Sequence, residues 1–262
     1  AIRVYATQST HKTLGSFRQG SMIHVRDELF DVEVRDSFLK AYMAHTTSSP
    51  NYHILASLDV SRRQVEMEGF ELVQRSIELA LLVRRTINSN PLLSHYFQAM
   101  GPSELIPSEY RHSGVSTGFD PDRDWQTVAR AWEVDDFVLD PCRITIGTSG
   151  SGIDGFTLKG KLANQFNIQV NKAGLNSICL MTNIGTTRNS VAHLLRCLIA
   201  IAKDLSKRDA SLNRGHRKSH KADVCDINIP PPLPEFSEFH AAFRPYATVP
   251  VGDLRRAFFA GT

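Results

Sequence analysis

Cysteine is scarce in this sequence. There are four in 262 residues, Cys142, Cys179, Cys197 and Cys225. Their spacings of 37, 18 and 28 residues fit no compact metal-binding motif, so reduced thiols in a cytoplasmic protein are expected. Long apolar runs are lacking as well. The longest nearly apolar stretch, residues 194–202, is nine residues long and contains Arg196. A bilayer-crossing helix needs about 20, so no membrane span is expected. Charge of one sign is not in large excess either: 30 Lys and Arg against 27 Asp and Glu leave +3. That is too weak a bias to point to nucleic acid. What basic excess there is lies locally, in residues 203–221, where seven Lys and Arg face two Asp. A solvated loop is the expected reading of that stretch.

The remaining composition is that of a folded chain. Hydrophobic residues make up 42% and charged residues 22%, which excludes a collagen-like, fibrous or wholly disordered protein. The length suits one large domain or two ordinary ones.

Strand and helix patterns alternate. Ile2-Arg3-Val4-Tyr5-Ala6 reads as a strand running straight into a polar turn, and residues 21–25 read as a second short strand. A chain opening on such a strand is expected to be a piece of something longer. The spacing predicts a helix over 35–44, with Phe38, Leu39 and Tyr42 on one stripe, and another over 52–60. A third should follow Gly69, carrying Leu72, Ile77, Leu81 and Ile87, and stop near residues 88–91. Residues 101–123, rich in Gly, Pro, Ser and Asp, are expected to be loop. Strands are expected at 137–139, 143–146 and 177–181, and helices at 158–167 and 189–205. For the last helix Asn189 is the expected cap, and Val191, Leu194, Leu195, Leu198, Ile199 and Ala202 its buried stripe. A linker is expected over 206–222. The fold class expected is α/β.

One constellation is site-like: Ser9-Thr10-His11-Lys12, at a strand end, where α/β enzymes place their chemistry. A lysine amine in its neutral form can attack an aldehyde to form a Schiff base. Hydroxyls and an imidazole beside it are donors suited to a phosphate. An aldehyde carrying a phosphate describes pyridoxal phosphate.

The run Val4-Tyr5-Ala6-Thr7-Gln8-Ser9-Thr10-His11-Lys12, with Gln19-Gly20-Ser21-Met22-Ile23-His24-Val25 after it, closely resembles the bacterial ornithine/lysine/arginine decarboxylases. These are pyridoxal phosphate enzymes of the aminotransferase-like fold. The resemblance continues through Ala41-Tyr42-Met43-Ala44-His45-Thr46-Thr47-Ser48-Ser49-Pro50, returns at Val138-Leu139-Asp140-Pro141, and thins after about residue 206. It implies that Lys12 holds pyridoxal 5'-phosphate and that Ser9 and His11 contact its phosphate, with His11 also close enough to serve catalysis. It implies further that Thr47 reaches the phosphate of a neighbouring subunit, so that the site is shared across a homodimer. The substrate implied is a basic amino acid. Asp140 carries no implied catalytic role; Leu-Asp-Pro reads as a turn at a strand end.

The implied organisation is the C-terminal part of a pyridoxal phosphate-binding large domain in residues 1–65. A smaller aminotransferase-like α+β domain would follow in 66–206, then a linker and the start of a C-terminal domain in 207–262. Two departures stand out. The family has a long portion before the lysine, supplying the partner of the pyridine nitrogen and further phosphate donors, so residues 1–262 alone are expected to be inactive. Where the family tends to show Trp-His-Gly-Phe, this chain has Ser116-Thr117-Gly118-Phe119. The rival readings are a non-catalytic homologue and an aminotransferase; the second would need an arginine clamping another carboxylate, and no motif places one.

Overall fold

A computed structural model describes residues 3–115 and 126–211. The chain opens with a hairpin. Strand β1 (Val4–Gln8) leads into a single helical turn, α1 (Thr10–Thr13), and strand β2 (Met22–Arg26) returns antiparallel, with Val4 opposite Arg26 and Gln8 opposite Met22. A π-helical turn at Phe30–Val34 runs into α2 (Arg35–His45). There Tyr5, Phe30 and Tyr42 surround the ring of Phe38, with centroids 6.2, 5.3 and 6.3 Å away. The expected stripe of α2 is thus anchored by Phe38, while Leu39 remains exposed.

The two helices expected over 52–60 and after Gly69 are one continuous helix, α3 (Tyr52–Ser89), 38 residues long. Glycine inside a helix costs only about 1 kcal/mol, and no proline interrupts residues 52–90. Ion pairs one turn apart, Arg62 with Asp59 and Glu66 and Arg63 with Glu66, brace its exposed face. It ends as expected: Asn90 caps the next helix, α4 (Pro91–Tyr96), accepting from the backbone N–H of Leu92 and Leu93. Proline at the first position suits that start.

The described residues form two compact units, divided between Ser76 and Ile77 within α3, with Asn183–Gly185 belonging to the first. The first unit has an interior of small residues: Thr10, Ser16, Gly20, Ser61 and Gly69 are buried. The second holds the hydrophobic core. Its sheet runs in the order β3 (Gln98–Ala99), β4 (Arg143–Gly147), β6 (Ser177–Met181), β5 (Lys172–Ala173), every neighbouring pair antiparallel. Ile144, Ile146, Ile178 and Leu180 point into a core completed by Val83 and Ile87 of α3, Leu158 and Leu162 of α7 (Gly155–Phe166), and Leu198 and Ala202 of α8 (Arg188–Ser211). The alternation of buried and half-buried residues along β4 and β6 is that of strands covered on one face.

Several expectations need correction. Residues 101–123 are not all loop: Pro102 and Glu104 start a short helix, α5 (Pro102–Leu105), where the Glu104 carboxylate accepts from Gly101 N–H at 2.7 Å. A 3-10 turn follows at Ser108–Tyr110, and α6 (Gln126–Val134) lies beyond. Residues 137–139 form no strand, because β4 already has β3 and β6 on its two sides; Phe137 packs instead edge-on against Tyr110 at 5.0 Å. Helix α7 starts three residues early, since the Asp154 carboxylate caps it by accepting from Thr157 N–H at 2.6 Å. In α8 the Thr187 hydroxyl, not Asn189, accepts the N–H of Ser190. That helix also continues to Ser211, so a linker does not begin at 206. Its buried residues include Val191, Leu198 and Ala202 as expected, but also Cys197, Ile201 and Leu205. Ser116-Thr117-Gly118-Phe119, Cys225 and most of the expected linker lie outside the described residues.

Asp140 forms the expected turn, at the start of a strand. Its carboxylate accepts from Cys142 N–H at 2.9 Å, its carbonyl accepts from Arg143 N–H, and the turn so formed delivers the chain into β4. Arg84, buried in α3, locks the same corner by donating to the carbonyls of Pro141, at 2.6 Å, and Arg143. Burial pushes the Arg84 guanidinium down to about 10, still charged at neutral pH.

Candidate functional site

Strand β1 ends at Gln8, and the four residues that follow divide by direction. Thr10 turns inward and is fully buried; Ser9 and Lys12 are exposed, and His11 is half-buried between them. The backbone closes the turn through Lys12 N–H to Ser9 carbonyl at 3.1 Å and Leu14 N–H to Thr10 carbonyl at 2.9 Å. With Thr10 as the buried anchor, the turn leaves Ser9 and Lys12 exposed and His11 half-buried beside them.

That anchor is held from two directions within the first unit. Ile184 N–H donates to the Thr13 carbonyl at 3.3 Å, while Arg75 of α3 donates to the Ile184 carbonyl at 2.8 Å. On the other side the chain turns back at Phe17–Gly20, closed by Gly20 N–H to Phe17 carbonyl at 3.1 Å, with Gln19 left-handed at φ 71°. The Gly20 carbonyl then faces His11 Nδ1 at 2.9 Å. Side-chain volume is not tolerated at Gly20: a Cβ there would meet Ser16 Oγ at 2.6 Å, Leu58 Cδ2 at 3.0 Å and the Phe17 carbonyl oxygen at 3.1 Å.

The donor set suits a phosphorylated aldehyde. The Ser9 hydroxyl makes no capping bond to the turn it precedes. His11 has committed Nδ1 to Gly20 and keeps Nε2. Lys12 has no ion pair among the described residues and is solvent-accessible. A hydroxyl, a ring nitrogen and a primary amine on one rigid turn match the two functional ends of pyridoxal phosphate.

Thr47 sits apart in these contacts. It follows α2, is exposed, and its hydroxyl accepts from Ser49 N–H at 3.0 Å, forming a local turn before Pro50. Among the described residues no hydrogen bond joins it to the turn carrying Ser9, His11 and Lys12. Sequence reasoning singled out neither Gly20, whose carbonyl faces His11 Nδ1, nor Ser57, whose hydroxyl accepts from Phe17 N–H. Gly20 lay within a recognisable run, but Ser57 gave no local signal because its contact crosses 40 residues.

Strand β1 is itself fixed by charge. The Tyr5 hydroxyl donates to Asp27 at 2.6 Å, and Arg3 contacts both Asp27, at 3.5 Å, and Glu33. The hydrogen bond from Tyr5 holds the Asp27 carboxyl below its ordinary range, and the same bond pushes the Tyr5 phenol up.

The second unit has a cavity of about 340 Å³ whose lining includes Ile144, Asn167, Thr182, Ser190, His193 and Leu194. None of Ser9, His11, Lys12 or Thr47 lines it, and it has no lysine to hold an aldehyde. Among the described residues no cluster of metal-ligating side chains is present, and no helix is long and apolar enough to cross a membrane.

Comparison with known proteins is consistent along most of the chain. Residues 2–190 match the family model described as Orn/Lys/Arg decarboxylase, major domain. The inducible lysine decarboxylase of Escherichia coli (strain K12) is 30% identical over 209 residues, covering 74% of this chain and 27% of that protein. An arginine decarboxylase of Bacillus cereus is 29% identical over 203 residues, covering 78% and 37%. Among solved structures, the constitutive lysine decarboxylase of E. coli superposes with a TM-score of 0.53 at 26% identity, over 77% of this chain and 28% of that one. The chain thus spans about a quarter to a third of the length of these relatives.

Proposed function

Because the chain belongs to the Orn/Lys/Arg decarboxylase family, we propose that it forms part of a pyridoxal phosphate-dependent decarboxylase acting on lysine, arginine or ornithine. The observation that carries this reading is the display of Ser9, His11 and Lys12 from one turn, with no partner among the described residues for the Ser9 hydroxyl or the Lys12 amine. Residues 1–65 are read as the end of an aminotransferase-like large domain, and residues 66–206 as the smaller α+β domain.

In this reading Lys12 would hold the cofactor through its amine, and Ser9 together with His11 Nε2 would hold its phosphate. When bound, the cofactor supplies an electron sink for the α-carbon of an amino acid, so that the carboxylate leaves as carbon dioxide. The chain's own work is positioning. The turn is short and cross-braced, so the three groups keep a fixed separation, and fixed geometry removes the entropic cost of assembling them at each turnover. Lys12 would give up the group to a substrate amine, and its freed Nζ would be a site that can hold or pass a proton. Thr47 acts on the phosphate of a neighbouring subunit, which makes the homodimer the active species.

Borohydride reduction of the cofactor-loaded protein, followed by peptide mass spectrometry, tests the reading. In a longer protein that joins this chain to the portion the family has before the lysine, a reduced pyridoxyl adduct on Lys12, absent from Lys12→Ala, is expected, with carbon dioxide released from a basic amino acid and not from glutamate. Protein that takes up no cofactor at Lys12 overturns it.

A further inference from the structure

His11 reaches its place through a relay that begins 46 residues later in the chain. The Ser57 hydroxyl, in the second turn of α3, donates to the Ile54 carbonyl at 2.7 Å. With its proton directed there, its oxygen accepts the backbone N–H of Phe17 at 3.0 Å. Phe17 in turn accepts from Gly20 N–H at 3.1 Å, and the Gly20 carbonyl oxygen faces His11 Nδ1 at 2.9 Å while also accepting the His11 backbone N–H at 3.4 Å. Four residues on two segments, Ile54 and Ser57 of α3 and Phe17 and Gly20 of the turn, thus stand behind the orientation of one ring.

A carbonyl oxygen only accepts. A ring nitrogen 2.9 Å from it must therefore carry the hydrogen, which puts the neutral ring in the Nδ1–H form. Imidazole side chains free in water prefer the other tautomer, so the protein must impose this one. We propose that Ser57 is a positioning residue for His11: through the Phe17–Gly20 turn it fixes the ring as the Nδ1–H tautomer and leaves Nε2 as the only atom at which His11 gains or loses a proton. The tautomer stands on this chain's contacts alone; its use, an Nε2 that donates to a cofactor phosphate when protonated, rests on the proposed function. Fixing a ring through the hydrogen bond made by its other nitrogen is how proteins prepare histidines for a directed task.

The test uses the full 262-residue chain labelled with ¹⁵N-histidine, its His11 signals assigned by their loss in His11→Gln. Spectra are taken near pH 8.5, about two units above the ordinary imidazole pKa. In the wild type, the Nδ1–H pattern is expected for His11. Ser57→Ala should lose it in favour of Nε2–H, and Ser57→Thr, which keeps the hydroxyl, should restore it. An Nε2–H ring in the wild type overturns the proposal, whatever Ser57→Ala does to folding. An unchanged ring in a folded Ser57→Ala overturns it too. In the loaded protein, Ser57→Ala should weaken pyridoxal phosphate binding about tenfold, the worth of one misdirected charge-assisted hydrogen bond. Borohydride trapping in the longer protein that carries the portion before the lysine separates the two readings. An adduct on Lys12 together with an unchanged ring in Ser57→Ala sinks the relay and leaves the function standing. No adduct in the wild type, with the tautomer as proposed, sinks the function and leaves the relay.

Discussion

The carbonyl oxygen of Gly20 accepts from His11 twice, from the ring Nδ1 at 2.9 Å and from the backbone N–H at 3.4 Å. One oxygen therefore fixes both the path of the main chain and the angle of a functional side chain. That coupling makes the Phe17–Gly20 turn as important to the site as the residues that would touch a ligand.

Gly20→Ala should show this directly. The added methyl meets Leu58 and the Phe17 carbonyl as well as the mobile Ser16 hydroxyl, and a backbone oxygen cannot rotate away. Overpacking of this kind costs about 1–3 kcal/mol. Urea unfolding should give a lower midpoint, and loading of cofactor at Lys12 should fall with it. A variant as stable as the wild type would mean that the turn yields freely.

The Tyr5–Asp27 hydrogen bond predicts a pH dependence with two limbs. Asp27 has a folded-state pKa lowered chiefly by the Tyr5 hydroxyl. Its contribution is present above the unfolded value, about 4, and is lost as pH falls through the folded one. Tyr5 has a folded-state pKa raised chiefly by the same bond. Its contribution is present below the unfolded value, about 10, and is lost as pH rises through the folded one. Thermal midpoints should fall at both extremes, and Tyr5→Phe should flatten both limbs.

Arg84 is expected to matter more than any surface charge. Its guanidinium is buried and serves the carbonyls of Pro141 and Arg143. Arg84→Met keeps much of the volume but leaves two partly buried carbonyls without their donor, each worth about 1–3 kcal/mol when left unpaired. A loss on the order of 3 kcal/mol in chemical unfolding is the expected result. Arg84→Lys should recover part of it, since one ammonium can reach at most one of the two sites squarely. A loss below 0.5 kcal/mol, the range of ordinary surface changes, would contradict this role.

Much of this was legible in the residues. Strand patterns placed β2, β4 and β6 within a residue or so, and β4 and β6 alternate because each has one covered face. The turn bearing Ser9, His11 and Lys12 was legible too, as polar residues ending an apolar strand. What failed did so for identifiable reasons. Gly69 reads as a break but sits inside α3, where the helix is sustained by pairs such as Arg62 with Glu66. The two-residue strands β3 and β5 are too short to carry a period, and exist only because β4 and β6 offer them edges. Residues 137–139 look like a strand but find no free edge. Ser57 could not be seen at all: its role depends on a bond across 40 residues.

Thr10 supplies the last prediction, because it separates the inward part of the turn from its outward chemistry. Its side chain is fully buried, and among the described residues its hydroxyl has no hydrogen-bond partner. A buried hydroxyl left unpaired is a liability, whereas its γ-methyl and β-branching fill the space beneath the turn. Thr10→Val keeps the shape and removes the stranded group, so stability should hold or rise by about 1 kcal/mol. Thr10→Ala removes the packing as well and should lower stability relative to Thr10→Val. Neither change touches Ser9, His11 or Lys12, so in Thr10→Val borohydride should still trap cofactor on Lys12 to the wild-type extent. Destabilisation of Thr10→Val in urea unfolding would show that the hydroxyl has a partner after all. Loss of trapping without loss of stability would place that partner on the cofactor rather than in the fold.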